Sequence, residues 1–203
     1  MAHRARGTSF ENQIVEQTSP PEMLCQFAER ALSFLRNIGL SVEVVPGAAG
    51  FIDHVRIKDG GLQVDPRCPA SGLLHEAGHL AVVPKRYRHW MSGNLYASFN
   101  RMLKDPEFLA QEPDSPLYRA VIQATDPEVT AWAWAAGRFL EFPPEVIIQD
   151  DEYDGSGRNI RILLQANSYI GINGLSHGGF CVRRKTPYRA LPQYPEVAFW
   201  LQP

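Results

Sequence analysis

The sequence predicts an α+β fold in one domain, a small N-terminal β-sheet packed on a helix with two histidines and joined by a second, glutamate-bearing helix. Three observations lead there. Three short β-rich runs, SVEVV (41–45), FIDHVRIK (51–58) and GLQVD (61–65), lie between an amphipathic segment and the helical stretch SGLLHEAGHLAVVP. A second strongly helical run, DPEVTAWAWAAGRFL, follows about fifty residues later. The 203 residues are 44% hydrophobic, with no repeat and no break in composition, which suits a single core.

Taken in order, the first twenty residues have early arginines but no apolar stretch, and Glu11 and Glu16 do not suit a transit peptide. They are expected to be a disordered N-terminal segment ahead of a domain spanning 21–203. In PPEMLCQFAERALSFLRNIGL the apolar residues Leu24, Phe27, Ala28, Leu32 and Leu35 recur at helical spacing, and Gly39 supplies a stop. The Asp59-Gly60-Gly61 turn joins the second and third strands as a hairpin. The His-bearing helix runs from about 71 to 83, where Pro84 helps to end it. A long connection follows, with one helix expected at 94–104. The next helix starts near Thr125 and ends before Pro143-Pro144, and another is expected in GRNIRILLQANSYIG. The Gly- and Pro-rich tail reads as irregular, with a short element at EVAFWL.

Charge narrows the function. At a formal net charge of -2 no long basic surface points to nucleic acid, and no run of about 18 apolar residues could span a membrane. Three cysteines without a CxxC pair exclude a disulfide framework, so a reducing, cytoplasmic setting is expected. Nothing in the chain fixes an oligomeric state.

The chemistry sits in HEAGH. Residues four apart on a helix project from one face, so His75 and His79 can offer two imidazole nitrogens to one ion. Glu76, on the flank of that face, could then reach an activated water without being a ligand. Leu73, Leu74, Ala77, Leu80 and Ala81 form the opposite, apolar stripe, and Gly78 inside a helix suggests a close neighbour. A third ligand is needed, and HExxHxxGxxH is absent; the carboxylate is therefore expected from another helix. Glu128 is the choice, because small alanines on its helix allow close approach, with Asp126 the nearest rival. Thr125-x-x-Glu128 is also a capping box, in which the glutamate would instead bond back to its own helix start.

HEAGHL followed by Glu128-x-x-Ala131 and an Ala/aromatic run ending at FLEFPP resembles the ImmA/IrrE-type zinc metallopeptidases over roughly residues 22 to 145. The resemblance implies a minimal zincin-like fold of gluzincin type. It implies His75, His79 and Glu128 as ligands of Zn2+, Glu76 as general base, and a peptide or protein substrate. The chain departs from the pattern in its long connection, its tryptophan-rich Glu helix and its lack of a helix-turn-helix, so no nucleic-acid partner is expected.

Further candidates surround this core. An oxyanion donor is expected from His177 in GLSHGGF, or from Tyr153 or Tyr169. GLQVD could be an edge strand on which an extended peptide pairs its backbone, or an ordinary hairpin strand. Cys68 reads as a small buried residue, KRYRH as a solvated basic loop, and Trp132, Trp134, Phe139 and Phe142 as core. The expected function is a zinc-dependent peptidase. A zinc hydrolase of a small amide and a zinc-stabilised binding or regulatory module without turnover are the alternatives.

Overall fold

The computed structural model describes residues 22–185, 187–188 and 190–203. The N-terminal segment expected to be disordered lies outside the described residues. The elements follow in chain order as α1 (Gln26–Asn37), β1 (Val42–Val44), β2 (Val55–Lys58), β3 (Gly61–Val64) and α2 (Ala70–Val82), then α3 (Lys85–Arg88), α4 (Leu95–Leu103), α5 (Pro106–Leu109) and α6 (Pro116–Ile122), and finally α7 (Asp126–Phe139), α8 (Pro144–Ile147), α9 (Glu152–Gly155), α10 (Gly157–Gln165) and α11 (Gly171–His177). They form one mixed α+β domain. No helix among the described residues is long and apolar enough to cross a membrane.

The sheet is built by alternation. β2 turns Val55 and Ile57 inward and Arg56 and Lys58 outward, and β3 buries Leu62 and Val64. Asp59 and Gly60, both at positive φ, make the tight turn between them. β1 then pairs with β3 in parallel, giving the order β1-β3-β2, with Val42 beside Leu62 and Ile57 in one buried row. On the outer face of that sheet Arg56 donates to Gln63 at 2.8 Å and Gln63 donates to Glu43 at 3.1 Å, tying all three strands. β3 is thus the central strand. Its backbone is paired on both sides, so GLQVD is not the edge on which a peptide could dock, which corrects that expectation.

The inner face of the sheet packs on α1 and α2, α2 packs against α7, and α7 in turn packs against α8 and α11. α1 buries Ala28, Leu32 and Leu35 on one stripe, whereas Leu24, ahead of the helix, stays exposed. α2 and α7 are buried almost all round, as expected of helices in the middle of a layered core. A Cβ at Gly78 would lie 2.8 Å from Val129 Cγ1 and 3.0 Å from the Val129 carbonyl oxygen. The missing side chain is what lets α7 come this close.

The long connection holds four helices where one was expected. Three of them start on side-chain caps: Asn94 accepts from Ala97 N–H at 3.1 Å, Asp105 from Glu107 and Phe108, and Ser115 from Tyr118. The tail differs as well. α11 forms inside the stretch expected to be irregular, α10 ends at Gln165, and EVAFWL is neither helix nor strand. In the aromatic cluster Trp132, Trp134 and Phe142 are buried, but Phe139 is 63% exposed at the last turn of α7.

Candidate metal centre

α2 presents His75 and His79 on one face, their ring centroids 5.1 Å apart. The carboxylate that joins them is Asp126, at the first position of α7: ligand atoms of His75, His79 and Asp126 all lie within 4.8 Å of one another. His79 Nε2 stands 3.4 Å from Asp126 Oδ1. Two ligands bound tetrahedrally to zinc at ~2.1 Å sit ~3.4 Å from each other, so this pair is already at the required separation. The donor set, two imidazoles and a carboxylate, is one that zinc accepts.

Burial sets the charge state of the histidines. It pushes the His75 pKa down, against a smaller upward pull from the Asp126 carboxylate. It pushes His79 down to about 3, with His75 adding to the fall. Both rings are therefore neutral near pH 7, the form that carries a free lone pair for a metal. Glu76, 5% exposed between them, is pushed up to about 7, first by burial and then by the Asp126 charge.

Glu128, expected as the third ligand, is held elsewhere. Its carboxylate accepts from the Thr125 hydroxyl, and the backbone N–H groups of Glu128 and Thr125 favour its charged form against the burial that raises its pKa. The reason is rotational. Residues two apart on a helix point to nearly opposite sides, so once Asp126 and Val129 face α2, Glu128 must face α11. There it is boxed in: a Cβ at Gly174 would lie 1.9 Å from Glu128 Oε1. Only part of a capping box is present, the Thr125 hydroxyl on the Glu128 carboxylate, since the Thr125 side chain makes no cap bond to the helix N–H groups.

His177 is not brought to the histidine pair. It ends α11 and its Nε2 is 3.1 Å from Asp114 Oδ1. Tyr153 reaches the site instead, with its hydroxyl 3.1 Å from His75 Nδ1 and 3.1 Å from Thr130 Oγ1. Tyr169 lies beside the same threonine. Tyr153 and Asp154 both have φ of 55°, a left-handed backbone that costs non-glycine residues ~1–2 kcal/mol each. Asp154-Gly155 and Ser156-Gly157 are the turn signals available there. Asp126 was legible, as one of two acidic residues in the first turn of the right helix.

The remaining candidates are structural. Cys68 is fully buried, its thiol pushed up to about 12 by burial, so it is no reactive group. KRYRH is not the solvated loop expected: it forms α3, Tyr87 is buried, Arg88 donates to the carbonyls of Leu80 and Gln202, and Arg86 pairs with Glu107. Comparison with known proteins adds no relative: no family model, no curated protein and no solved structure matches the chain.

Proposed function

We propose that the protein is a zinc-dependent hydrolase of peptide bonds, with His75, His79 and Asp126 as the ligands and Glu76 as the general base. The observation that carries this reading is the convergence of three zinc-compatible donors, within 4.8 Å, from two helices packed at Gly78 and Val129. The ImmA/IrrE-type resemblance points to the same chemistry and the same zincin-like arrangement, with the carboxylate moved from Glu128 to Asp126.

Zinc, when bound, supplies Lewis acidity that polarises a carbonyl and makes water easier to deprotonate. Glu76 would take the proton from the attacking water and hand it to the departing amine. Its buried flank keeps bulk water from competing for that proton. Thr125 and the helix start hold Glu128 aside, so that only one carboxylate of α7 is free for the ion.

Metal analysis of the purified chain and its variants tests the assignment. Wild type is expected to bind one zinc per chain, His75→Ala, His79→Ala and Asp126→Ala to lose it, and Glu128→Ala to keep it. Glu76→Gln should keep zinc and lose hydrolysis of a fluorogenic peptide library by ~10²-fold or more. An Asp126→Ala protein that holds zinc as tightly as wild type would falsify the third-ligand assignment. Zinc retained with no turnover by wild type would leave a zinc-stabilised module in place of an enzyme.

A further inference from the structure

Four groups form a chain of contacts that begins at one histidine and ends beside the other. His75 Nδ1 is 3.1 Å from the Tyr153 hydroxyl, that hydroxyl is 3.1 Å from Thr130 Oγ1, and Thr130 Oγ1 is 3.0 Å from the backbone carbonyl oxygen of Asp126. The last group has no proton to give. Thr130 must therefore donate to Asp126, which leaves its oxygen only as an acceptor towards Tyr153. Tyr153 then donates to Thr130, its single proton is used, and the remaining contact is made only if His75 Nδ1–H donates to the Tyr153 oxygen. Three contacts and three protons run in one direction.

From this count we infer that Tyr153 and Thr130 are positioning residues that hold His75 as its Nδ1–H tautomer, with Nε2 left as the lone-pair nitrogen for a metal. The inference rests on the proposed metal site for its purpose, though not for its geometry. It also accounts for the left-handed backbone at Tyr153: φ of 55° there is kept by a side chain whose hydroxyl is engaged on two sides. Tyr169 also lies beside Thr130, whose oxygen keeps a second lone pair to accept from it. The relay ends on the main chain of Asp126, whose side chain stands 3.4 Å from His79, so the orientation of one ligand is tied to the position of another. Partners of this kind on the non-ligating nitrogen fix ring orientation and raise metal affinity.

The test is long-range 1H–15N NMR of the full chain, labelled on histidine and stripped of metal, which tells a protonated ring nitrogen from an unprotonated one. Wild type is expected to carry the His75 proton on Nδ1. In Thr130→Val the freed Tyr153 proton should turn to His75 and shift it towards the Nε2–H form, and Thr130→Ser should restore wild-type behaviour. Tyr153→Phe should give a mixture of tautomers and bind zinc about 10- to 100-fold more weakly. A wild-type His75 protonated on Nε2 overturns the inference. So does a Thr130→Val or Tyr153→Phe protein with an unchanged tautomer, even if its zinc affinity falls. Should Tyr153→Phe fail to fold, the wild-type and Thr130→Val spectra decide. If wild type takes up no zinc, the metal reading fails by itself and the tautomer still judges the relay.

Discussion

Asp126 and Glu128 meet different neighbours because two residues along a helix is more than half a turn. Both are acidic, both sit in the first turn of α7, and both were visible as candidates in TDPEVTAW. Which of them faces α2 depends on the roll of α7 about its axis, and that roll is set by Val129 against Gly78, a contact whose Gly78 side is marked in the sequence and whose Val129 side is not. The His pair and Glu76, by contrast, needed only helical spacing to be read. Glu76 supports a prediction at this scale. Its folded pKa of about 7 lies above the ordinary carboxyl value of 4.5, so its favourable contribution is present below the unfolded pKa and is lost as pH rises through about 7. The metal-free Glu76→Gln protein should then be more stable than metal-free wild type at about pH 8, by ~1–3 kcal/mol, and no more stable at about pH 4. His79 acts in the opposite sense. Depressed to about 3, it contributes stability that is present above its unfolded pKa of 6.5 and lost as pH falls towards 3, but equally in both proteins, so it cancels in the difference. Urea unfolding of the pair across this range makes the comparison; a gap independent of pH would rule out the Glu76 charge as its source.

At the scale of elements, length decided what could be read. α1, α2 and α7 run for 12, 13 and 14 residues, enough for apolar spacing to declare itself. α3, α5 and α8 have four residues each and show no period at all. For α5 and α6 the available signal was of another kind, a capping residue followed by proline in Asp105-Pro106 and Ser115-Pro116. α11 ran against local preference, since GINGLSH carries two glycines; their absent side chains are what let α11 lie on Pro127 and Glu128. The α2–α7 crossing gives the sharpest test of packing. Gly78→Ala should gain ~1 kcal/mol of helix propensity. It must also push Val129 back from a 2.8 Å approach to a neighbour with no flexible end to yield. Overpacking of this kind costs ~1–3 kcal/mol, so a net loss of stability is expected, together with weaker zinc binding as His79 and Asp126 move apart. An alanine variant as stable as wild type, with unchanged metal affinity, would mean that the helices are not held this close in solution.

Across the whole molecule the C-terminal tail does the work of an element without being one. Trp200 packs at 5.0 Å from Phe34 and 5.1 Å from Phe139, between the ends of α1 and α7, and its carbonyl accepts from Trp132 Nε1 at 2.9 Å. Gln202 N–H donates to Ala81 at 2.8 Å, Arg88 donates to the Gln202 carbonyl at 2.9 Å, and Lys85 N–H donates to Pro203 at 3.2 Å. Tyr194, further back, is buried with its hydroxyl 2.9 Å from the Ala131 carbonyl. EVAFWL was legible as apolar but not as a strap, because Phe34, Trp132 and Phe139, on which Trp200 packs, lie far away in sequence and no local period records them. The strap holds Ala81 at the end of α2 and Trp132 and Phe139 in the middle and at the end of α7, whereas the proposed metal ligands are His75, His79 in the last turn of α2, and Asp126 at the start of α7, none of which bonds to the strap. Deleting residues 199–203 should therefore lower stability by ~3–5 kcal/mol, through the loss of the aromatic contacts of Phe199 and Trp200 and the hydrogen bonds of Trp200, Gln202 and Pro203. For a chain of this size that is a fall in Tm of about 10 °C. Zinc affinity measured well below the new midpoint should stay at the wild-type value, since no ligand touches the strap. Calorimetry and zinc titration of the shortened chain separate the two effects: an unchanged Tm would mean that the strap is not seated, and a lost zinc site at preserved Tm would mean that it positions the ligands after all.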